Sequence, residues 1–430
     1  MPSLANDRVD VLLVGGGGRE HALAWKLSQS PLLGKLYCAP GNPGIAAHAE
    51  CVPISATDID GVVGLAKEKR VGLVLVGPES PLIAGLVDRL QAEGIPVFGP
   101  RRDAAAIEGS KSFAKRIMQI GGVPTASCEV FDDADAALSY LRQHPGPVVV
   151  KADGEAAGKG AIVCDDERQA MDAVRAIMVE RVFGSSGDRV VIEERMYGEE
   201  FSALAFVQGE KYILMPASQD HKPVLDGDRG PNTGGMGAYS PVPSVTQDVQ
   251  RFVEERVFRP VLAALTSQGI RYQGVLYAGM MLTAAGPRVV EFNCRFGDPE
   301  AQVVLTRMAS DLMEPLLAVA KGDLSAVECE WKPAHSVCVV MASRGYPGAY
   351  EKGKAITGLD AVAQMPNVVV FHAGTAQANG AVVTAGGRVL GVTAWAPTTA
   401  EAIARAYDAT ERISFEGAHY RRDIGRRAVS

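Results

Sequence analysis

Acidic, amide and basic side chains alternate along one predicted strand in the second half of the chain. Glu291, Asn293 and Arg295 share one face of this strand, whereas Phe292 and Cys294 face the packed interior. A carboxylate beside an amide oxygen suits a hard divalent cation that bridges phosphates. An arginine next to them can stabilise charge on an acyl phosphate or an oxyanion. The run therefore predicts a metal and phosphate site, with an exposed polar strand face as the alternative.

Two glycine-rich segments predict contacts with phosphate. Residues 15–21 follow a strand and open a helix, where backbone N–H groups attract anions. A dinucleotide-binding fingerprint would need glycine at the position of Glu20, so a tight turn without a ligand stays open as the alternative. Residues 151–160 form a hairpin with Lys151 at one end and Lys159 near the other, which predicts a flap over triphosphate oxygens. A surface hairpin is the alternative there.

A third polar region lies between residues 193 and 239. The acidic pairs 193–194 and 199–200 are candidates for ribose contacts, or for an ordinary surface turn. Glycines and a proline in residues 230–239 predict an irregular, ordered loop, and such loops usually carry function. In the same region Asp220 is a candidate for a substrate ammonium group and Lys222 for a carboxylate or phosphate. We expect His221 to be a hydrogen-bonded structural histidine.

The strands and helices that position these residues are predicted from apolar runs and from the glycine or proline residues that end them. Runs at 9–14, 71–76 and 95–98 end in glycine or proline and are separated by helical patterns, which predicts a parallel sheet covered on both faces. Ligands of such sheets bind at the carboxyl ends of the strands. Ser110 can cap a helix that ends at Gly121-Gly122.

The rest of the chain predicts mixed elements. An α+β unit follows with strands at 148–151, 161–164 and 190–194, and an antiparallel strand pair is expected at 275–283 and 288–293. Beyond these, short strands and a helix that begins at Thr398 predict a small closing α+β domain.

Composition narrows the classes of function. The 430 residues carry a net charge of -7 without a basic block, so we expect no nucleic-acid partner. No apolar run reaches the length of about 18 residues that a membrane helix needs. The seven cysteines show no Cys-x-x-Cys pair, which fits reduced thiols in a cytoplasmic protein. We expect a monomer, with a dimer as the alternative.

Taken in order, the motifs resemble the ATP-grasp superfamily and, within it, the phosphoribosylamine–glycine ligases. The resemblance runs from about residue 9 to 427. The segments that carry it are GGGGREHA at 15–22, APGNPG at 39–44, VGPE at 76–79, EGSKSF at 108–113, KADGEAAGKG at 151–160, SQDHK at 218–222, GPNTGGMGAYSP at 230–241, EFNCRFGDPE at 291–300 and FHAGT at 371–375.

This resemblance implies an α/β and α+β multidomain protein. The expected parts are an N-terminal parallel-sheet substrate domain at 1–108, an ATP-grasp core at 109–330 with an inserted lid at about 125–195, and a C-terminal α+β domain at 331–430. The implied reaction joins glycine to 5-phosphoribosylamine with ATP as co-substrate, through glycyl phosphate, and yields glycinamide ribonucleotide, ADP and phosphate.

The resemblance also implies roles for individual residues. Arg295 and Asp298 would serve the reacting centre, and Glu291 and Asn293 would hold Mg²⁺ or Mn²⁺. The expected ATP contacts are Lys111, Lys151, Lys159, Glu193 and Glu200. The expected substrate contacts are Gly18, Asn42, Pro78, Glu79, Asp220, Lys222, Asn232 and Thr233.

Two positions depart from the family pattern. Glu155 stands where an apolar residue such as leucine is expected in the lid loop, and a carboxylate that pointed at the triphosphate would be repelled by it. We therefore expect Glu155 to point to solvent. Arg229 stands where a small or neutral residue is expected, and we interpret it as a solvated loop charge, with a phosphate contact as the alternative.

Three rival functions remain at this point. Another ATP-grasp ligase would share the core but not the segments at 230–241 and 291–300. A nicotinamide-dependent oxidoreductase would need the third glycine of the fingerprint and an acidic residue at a strand end. A non-catalytic nucleotide-binding regulator is opposed by the intact Glu291, Asn293 and Arg295.

Overall fold

The N-terminal sheet is parallel, as predicted. The computed structural model describes residues 8–156 and 160–429. The sheet has the order β3-β2-β1-β4-β5 and is built from β1 (Val9–Gly15), β2 (Leu33–Pro40), β3 (Glu50–Cys51), β4 (Leu73–Val76) and β5 (Val97–Phe98). Its helices are α1 (Gly18–Leu27), α2 (Ile59–Lys69), α3 (Glu79–Ile83) and α4 (Leu86–Ala92), with a 3-10 turn at Ile45–Ala47.

The central strand β1 explains why both faces must be covered. Leu12 and Val14 pack into one apolar core together with α2, whereas Val11 and Leu13 pack into another together with α1. All four side chains are fully buried. Because successive strand residues point to opposite faces, a continuous apolar run produces a sheet that is buried on both sides.

Two consecutive helices lead out of this sheet. They are α5 (Arg102–Gly109) and α6 (Lys111–Gly121). Ser110 caps α6 because its hydroxyl accepts a hydrogen bond of 3.2 Å from the backbone N–H of Phe113. Gly122 ends α6 with a φ of 60°, a left-handed conformation that glycine adopts without strain. The helix predicted from residue 110 is therefore confirmed.

A second, antiparallel sheet has the order β6-β9-β7-β8 and its own small core. Its strands are β6 (Cys128–Phe131), β7 (Val148–Ala152), β8 (Ala161–Cys164) and β9 (Val190–Glu194). Helix α7 (Ala134–Gln143) and helix α8 (Glu167–Val174) cover it, and α8 continues into a π-helical turn at Arg175–Val179, before a 3-10 turn at Gly184–Gly187. Lys159, a predicted ATP contact, lies outside the described residues.

The next segment supplies a third sheet and a set of short strands. Its strands are β10 (Gly198–Gln208), β11 (Lys211–Leu214), β12 (Gln219–Asp220), β13 (Pro223–Leu225), β14 (Arg229–Asn232), β15 (Gly237–Ser240), β16 (Gln273–Thr283) and β17 (Gly286–Asn293). The third sheet is antiparallel with the order β11-β10-β16-β17, so β17 lies at its edge. The predicted pair of strands at 275–283 and 288–293 is confirmed as β16 and β17.

Four helices accompany this sheet. They are α9 (Gln247–Val253), α10 (Arg259–Ser267), α11 (Glu300–Arg307) and α12 (Met313–Lys321). A π-helical turn at Glu254–Phe258 joins α9 to α10.

The glycine-rich loop at 230–239 is more regular than predicted. Strand β13 pairs with β14, and β12 and β15 pair with each other. Strand β15 also pairs with β18 (His335–Ser343), which comes from a distant part of the chain. The prediction of an irregular loop is wrong because long-range pairing supplies hydrogen-bond partners that local sequence does not reveal.

The last part of the chain completes a fourth sheet, with the order β12-β15-β18-β22-β19 and with β23 paired to β18. The remaining strands of this sheet are β19 (Val368–His372), β22 (Arg388–Ala396) and β23 (Ala418–His419). Its neighbours in the chain are β20 (Thr375–Ala378) and β21 (Ala381–Thr384). Helices α13 (Leu359–Ala363) and α14 (Thr399–Glu411) and a 3-10 turn at Arg426–Ala428 accompany them. In residues 8–156 and 160–429, no helix combines the length and apolarity needed to span a bilayer.

We expect Leu13→Ala to lower the free energy of unfolding by about 3 kcal/mol, because it leaves a cavity in the centre of the first sheet. Leu13 is 0% exposed. The matched control is Leu225→Ala on β13, where the side chain is 43% exposed and the expected loss is below about 0.5 kcal/mol. Urea denaturation of both variants measures the difference, and equal losses would contradict this packing.

Candidate active site

Arg295 joins the end of β17 to the N-terminal sheet. Its guanidinium group forms ion pairs with Glu79 at 3.1 Å and with Glu108 at 2.9 Å, and it donates a hydrogen bond of 3.1 Å to the Asn293 amide oxygen. Glu79 begins α3, directly after the carboxyl end of β4. Glu108 is held from a second side, because the backbone N–H of Cys294 donates to it at 2.7 Å. One arginine therefore connects three segments of the chain.

Glu291 lies on the same strand face and is surrounded by positive charge. Burial raises the pKa of Glu291, but the ammonium groups of Lys222, Lys151 and Lys111 lower it, and the net shift is downward. The carboxylate is therefore ionised at neutral pH. The ammonium groups provide an environment for phosphate oxygens, and the ionised carboxylate offers a ligand for a divalent cation bound with them.

Lys151 and Glu193 belong to a buried group of charges. Glu193 forms ion pairs with Lys151 at 2.8 Å and with Lys115 at 3.3 Å, and all three side chains are at least nine-tenths buried. Lys115 also donates to the backbone carbonyl of Ala126 at 2.8 Å. Lys111, four residues before Lys115 on α6, donates to the carbonyl of Gly154 at 3.1 Å. This arrangement brings two predicted ATP lysines and Glu193 to one wall.

Asp220, Lys222 and Glu200 form a second group of charges. Lys222 pairs with Glu200 at 2.7 Å. Burial raises the pKa of Asp220 to about 7, with the carboxylates of Glu300, Glu200 and Glu291 acting in the same direction and Lys222 opposing them. A carboxyl group that titrates near neutrality is suited to hold, or to exchange a proton with, an amine.

The glycine loop before α1 approaches the segment after β2 closely. A Cβ atom added to Gly16 would lie 2.6 Å from the carbonyl oxygen of Gly41, so this contact requires glycine. The amide of Asn42 donates to the carbonyl oxygens of Gly16 and His372, each at 2.9 Å. Asn42 therefore fixes the loop. The backbone N–H of Gly17 donates to the Glu20 carboxylate at 2.6 Å.

Asp298 lies beside this loop rather than beside Arg295. It pairs with Arg388 from β22 at 3.2 Å and accepts a hydrogen bond of 2.8 Å from the Gln302 amide. A Cβ atom on Gly18 would lie 3.4 Å from the Asp298 carboxylate. Burial raises the pKa of Asp298, but Arg388 and Arg19 lower it, with a net downward shift. The N-terminal loop, the core and the last domain thus meet at Asp298.

The remaining predicted contacts differ in how deeply they are buried. Thr233 donates from its hydroxyl to the carbonyl of Lys222 at 2.7 Å, whereas Asn232 is exposed on β14. Pro78 is the N-cap residue of α3, next to the Gly15 turn. Glu155 is exposed, as expected, and accepts a hydrogen bond of 2.6 Å from Ser80.

Two further predictions concern loop residues. Arg229 is exposed and donates to the Asp226 carbonyl at 3.1 Å, which agrees with a solvated loop charge. The prediction for His221 is wrong in one respect. The ring is buried, but neither ring nitrogen has a hydrogen-bond partner among the described residues.

The donor set on β17 fits a divalent cation. Magnesium is commonly held by one or two protein oxygens together with substrate phosphates. Glu291 offers an ionised carboxylate and Asn293 an amide oxygen on the same strand face. Within the described ranges, no group of three or more histidine, cysteine, aspartate or glutamate side chains is placed to hold a metal ion by itself. Phosphate oxygens would complete the coordination.

Several site residues were not found from sequence. Lys115 has a local signal, because it lies four residues after Lys111 and therefore on the same face of a helix. Glu108 lies in the EGSKSF segment, but nothing in that segment indicates that its partner is Arg295. Arg388 comes from a strand whose sequence offers no signal of its contact with Asp298.

Glu291 and Asn293 lie on the edge of a four-stranded antiparallel sheet, and lysines lie between this sheet and the separate small sheet of β6–β9. This arrangement defines an ATP-grasp protein. Comparison with known proteins specifies the family. Phosphoribosylglycinamide synthetase models match residues 9–108 with the N domain, 109–301 with the ATP-grasp (A) domain and 336–427 with the C domain. The chain belongs to the phosphoribosylglycinamide synthetase family, and the resemblance read from the motifs is confirmed.

Individual relatives agree with this assignment. The chain is 48% identical to a phosphoribosylamine–glycine ligase of Rhodopirellula baltica over 98% of both chains. It is 50% identical to one of Allochromatium vinosum over 98% of this chain and 99% of the relative. The crystal structure of the Thermotoga maritima phosphoribosylamine–glycine ligase superposes with a TM-score of 0.84 at 35% identity, covering 96% of this chain and all of that one.

A more distant structure shares the fold alone. The biotin carboxylase of Campylobacter jejuni, solved as a β,γ-ATP complex, gives a TM-score of 0.76 at 16% identity, over 97% of this chain and 94% of that one. The predicted fold class is confirmed by both likenesses.

Asp220→Asn tests the electrostatics of this site. The native carboxyl group keeps its proton up to about pH 7, whereas the unfolded chain loses it near the ordinary value of 3.8. The stability that protonated Asp220 contributes is complete below pH 3.8 and is lost as the pH rises to 7. The variant should therefore gain about 2–4 kcal/mol over the wild type between pH 4 and pH 8.

Urea denaturation at the two pH values measures this gain. Asp248→Asn, at an exposed position on α9, is the control and should show the same difference from wild type at both. A gain for Asp220→Asn no larger than that of the control would contradict the raised pKa.

Proposed function

We propose that this chain joins glycine to 5-phosphoribosylamine with the cleavage of ATP, and so forms glycinamide ribonucleotide, ADP and phosphate in purine biosynthesis. The observation that carries the proposal is membership of the phosphoribosylglycinamide synthetase family through all three of its domains. The convergence of Arg295, Glu291 and the lysines at one place supports it, since these are the groups that a phosphoryl-transfer ligase requires.

The reaction proceeds through glycyl phosphate. An oxygen of the glycine carboxylate attacks the γ-phosphorus of ATP, and ADP leaves with the electrons of the broken P–O bond. The amine nitrogen of phosphoribosylamine then attacks the acyl carbon, and the acyl C–O bond breaks. Phosphate leaves and carries away the proton that the nitrogen loses. Lys111, Lys151 and Lys159 contact the ATP phosphates, and Arg295 stabilises the negative charge that develops at the acyl centre.

The roles proposed for the other site residues are based on where these residues lie. Glu193 and Glu200 lie on the adenosine side, where Glu193 also fixes Lys151 through the pair at 2.8 Å. Asp220 holds an ammonium group and Lys222 a carboxylate or phosphate. Gly18, Asn42, Pro78 and Glu79 line the phosphoribosylamine site, with Asp298 held between Gly18 and Arg388. Asn232 and Thr233 also contact substrate.

Glu291 and Asn293 would hold the divalent cation, Mg²⁺ or Mn²⁺. When bound, this cation neutralises and orients the phosphate oxygens. An acyl phosphate must also be kept from water. We assign this role to the sheet of β6–β9, and the hydrogen bond that Ser80 of the N-terminal domain donates to its loop residue Glu155 supports the assignment. We place the enzyme in the cytoplasm as a monomer, with a dimer as the alternative, with small molecules as its substrates and without a nucleic-acid or membrane partner.

ADP release from the purified protein tests the proposal. With MgATP, glycine and freshly generated phosphoribosylamine, ADP should form only when all three are present. ADP formation without phosphoribosylamine would keep the ATP-grasp chemistry but contradict the substrate, and binding of ATP without any ADP would favour the regulator.

Glu291→Gln is the companion variant. It keeps the shape of the side chain but removes its charge, and it should lower kcat by about 100-fold. The matched control is Glu328→Gln in the segment before β18, which should retain wild-type kcat because it has no assigned role. Equal kcat for Glu291→Gln and wild type would contradict the metal role.

A further inference from the structure

A cavity of about 320 Å³ lies between the β13–β14 hairpin and the segment that follows β23. Its volume is roughly ten times the ~30 Å³ that one water molecule occupies in the liquid. None of its lining residues belongs to the set proposed for the reaction. The side chains that form it include His221, Arg421, Arg422, Asp423, Arg426 and Arg427.

His221 gives the cavity a buried polar wall. The residue is 2% exposed, and both ring nitrogens lack a hydrogen-bond partner within the described part of the chain. Burial, with Arg421 and Arg427 nearby, lowers the pKa of His221 to about 4. The ring is therefore neutral at pH 7 and offers one N–H donor and one acceptor. Buried polar atoms of this kind are rarely left without a partner.

The lining carries an excess of positive charge, with four arginines against two aspartates. Arg421 is bound to Asp423 through two hydrogen bonds of 2.7 Å. Asp226 is engaged by the backbone N–H of Arg422 at 2.7 Å. The side chains of Arg422 and Arg426 are exposed and make no ion pair with any residue in the described ranges, and the Arg422 guanidinium lies over the Tyr420 ring, 5.4 Å from its centroid. Asp423 is thus paired with Arg421, whereas Arg422 and Arg426 have no carboxylate partner among the described residues.

We propose that this cavity is a binding site for a phosphate group, separate from the catalytic site and beyond the proposed function. Arg422 and Arg426 supply charge-assisted donors to the phosphate oxygens, and the N–H of His221 donates from the buried wall. A singly protonated phosphate can in turn donate to the second ring nitrogen. Guanidinium groups suit phosphate because their planar N–H donors match its oxygens.

The position of the cavity connects it to the catalytic site. His221 lies between Asp220 and Lys222 in the chain. The C-terminal segment already holds the adjacent hairpin, because Arg421 donates to the carbonyl of Pro223 at 3.0 Å and the N–H of Gly227 donates to Asp423 at 2.8 Å. A bound phosphate would add contacts to both sides of this junction and would stabilise the folded chain by mass action.

NMR of the full chain, labelled at the histidine ring carbons, tests the proposal. The catalytic site is first filled with a non-hydrolysable ATP analogue, and the His221 signal is assigned by its absence in His221→Gln. Inorganic phosphate and ribose 5-phosphate are titrated separately, and a saturable shift of this signal with a Kd of about 1 mM or tighter is expected for at least one of them. Tighter binding of the ester would identify an organic phosphate as the ligand, and tighter binding of inorganic phosphate would identify the free ion.

Arg422→Gln/Arg426→Gln should weaken this binding by about tenfold or more, because it removes the two available charged donors. The control is Arg142→Gln/Arg256→Gln, which removes the same charge from exposed positions on α7 and on the π-helical turn after α9. Equal weakening in both pairs would show general charge attraction and overturn the site. A His221 signal that does not move with either phosphate at about 10 mM would overturn it as well.

Discussion

The ion pairs of Arg295 are the interaction on which the proposed active site depends. A buried arginine needs compensating charge, and here two carboxylates from different segments supply it at 3.1 and 2.9 Å. Glu79 follows a strand of the N-terminal sheet, and Glu108 ends the helix that leads out of it. Because Arg295 lies just beyond β17, this one group fixes the first sheet against the strand that carries Glu291 and Asn293.

A similar rule governs the rest of the site. Each predicted phosphate-binding cation whose contacts the structure describes is also bound to a carboxylate or a backbone carbonyl. Lys151 is held by Glu193, Lys222 by Glu200, and Lys111 by a carbonyl of the flap. Such contacts fix the position of each ammonium group before a substrate arrives. Preorganised charge of this kind costs little reorganisation during reaction.

Local sequence was sufficient for the elements and for part of the site. The apolar run of β1, the Ser110 cap and the alternation along β17 each depend on neighbours in the chain, and each was predicted. The contacts of Glu108 and Arg388 depend on partners about 90 to 190 residues away, which no local pattern reveals. The short strands β12 to β15 were missed for the same reason, since β18 provides the edge with which β15 pairs. His221 was misjudged because the cavity beside it is made by the end of the chain.

The central claim is that Arg295 and Glu108 form one coupled, buried ion pair that unites two parts of the chain. A double-mutant cycle with Glu108→Gln, Arg295→Met and the double variant, followed by urea denaturation, tests it most directly. The account predicts a coupling free energy of about 2 kcal/mol or more, because Arg295→Met leaves the buried Glu108 carboxylate without its guanidinium partner and Glu108→Gln leaves Arg295 with Glu79 alone. Free energies that add to within about 0.5 kcal/mol would contradict it.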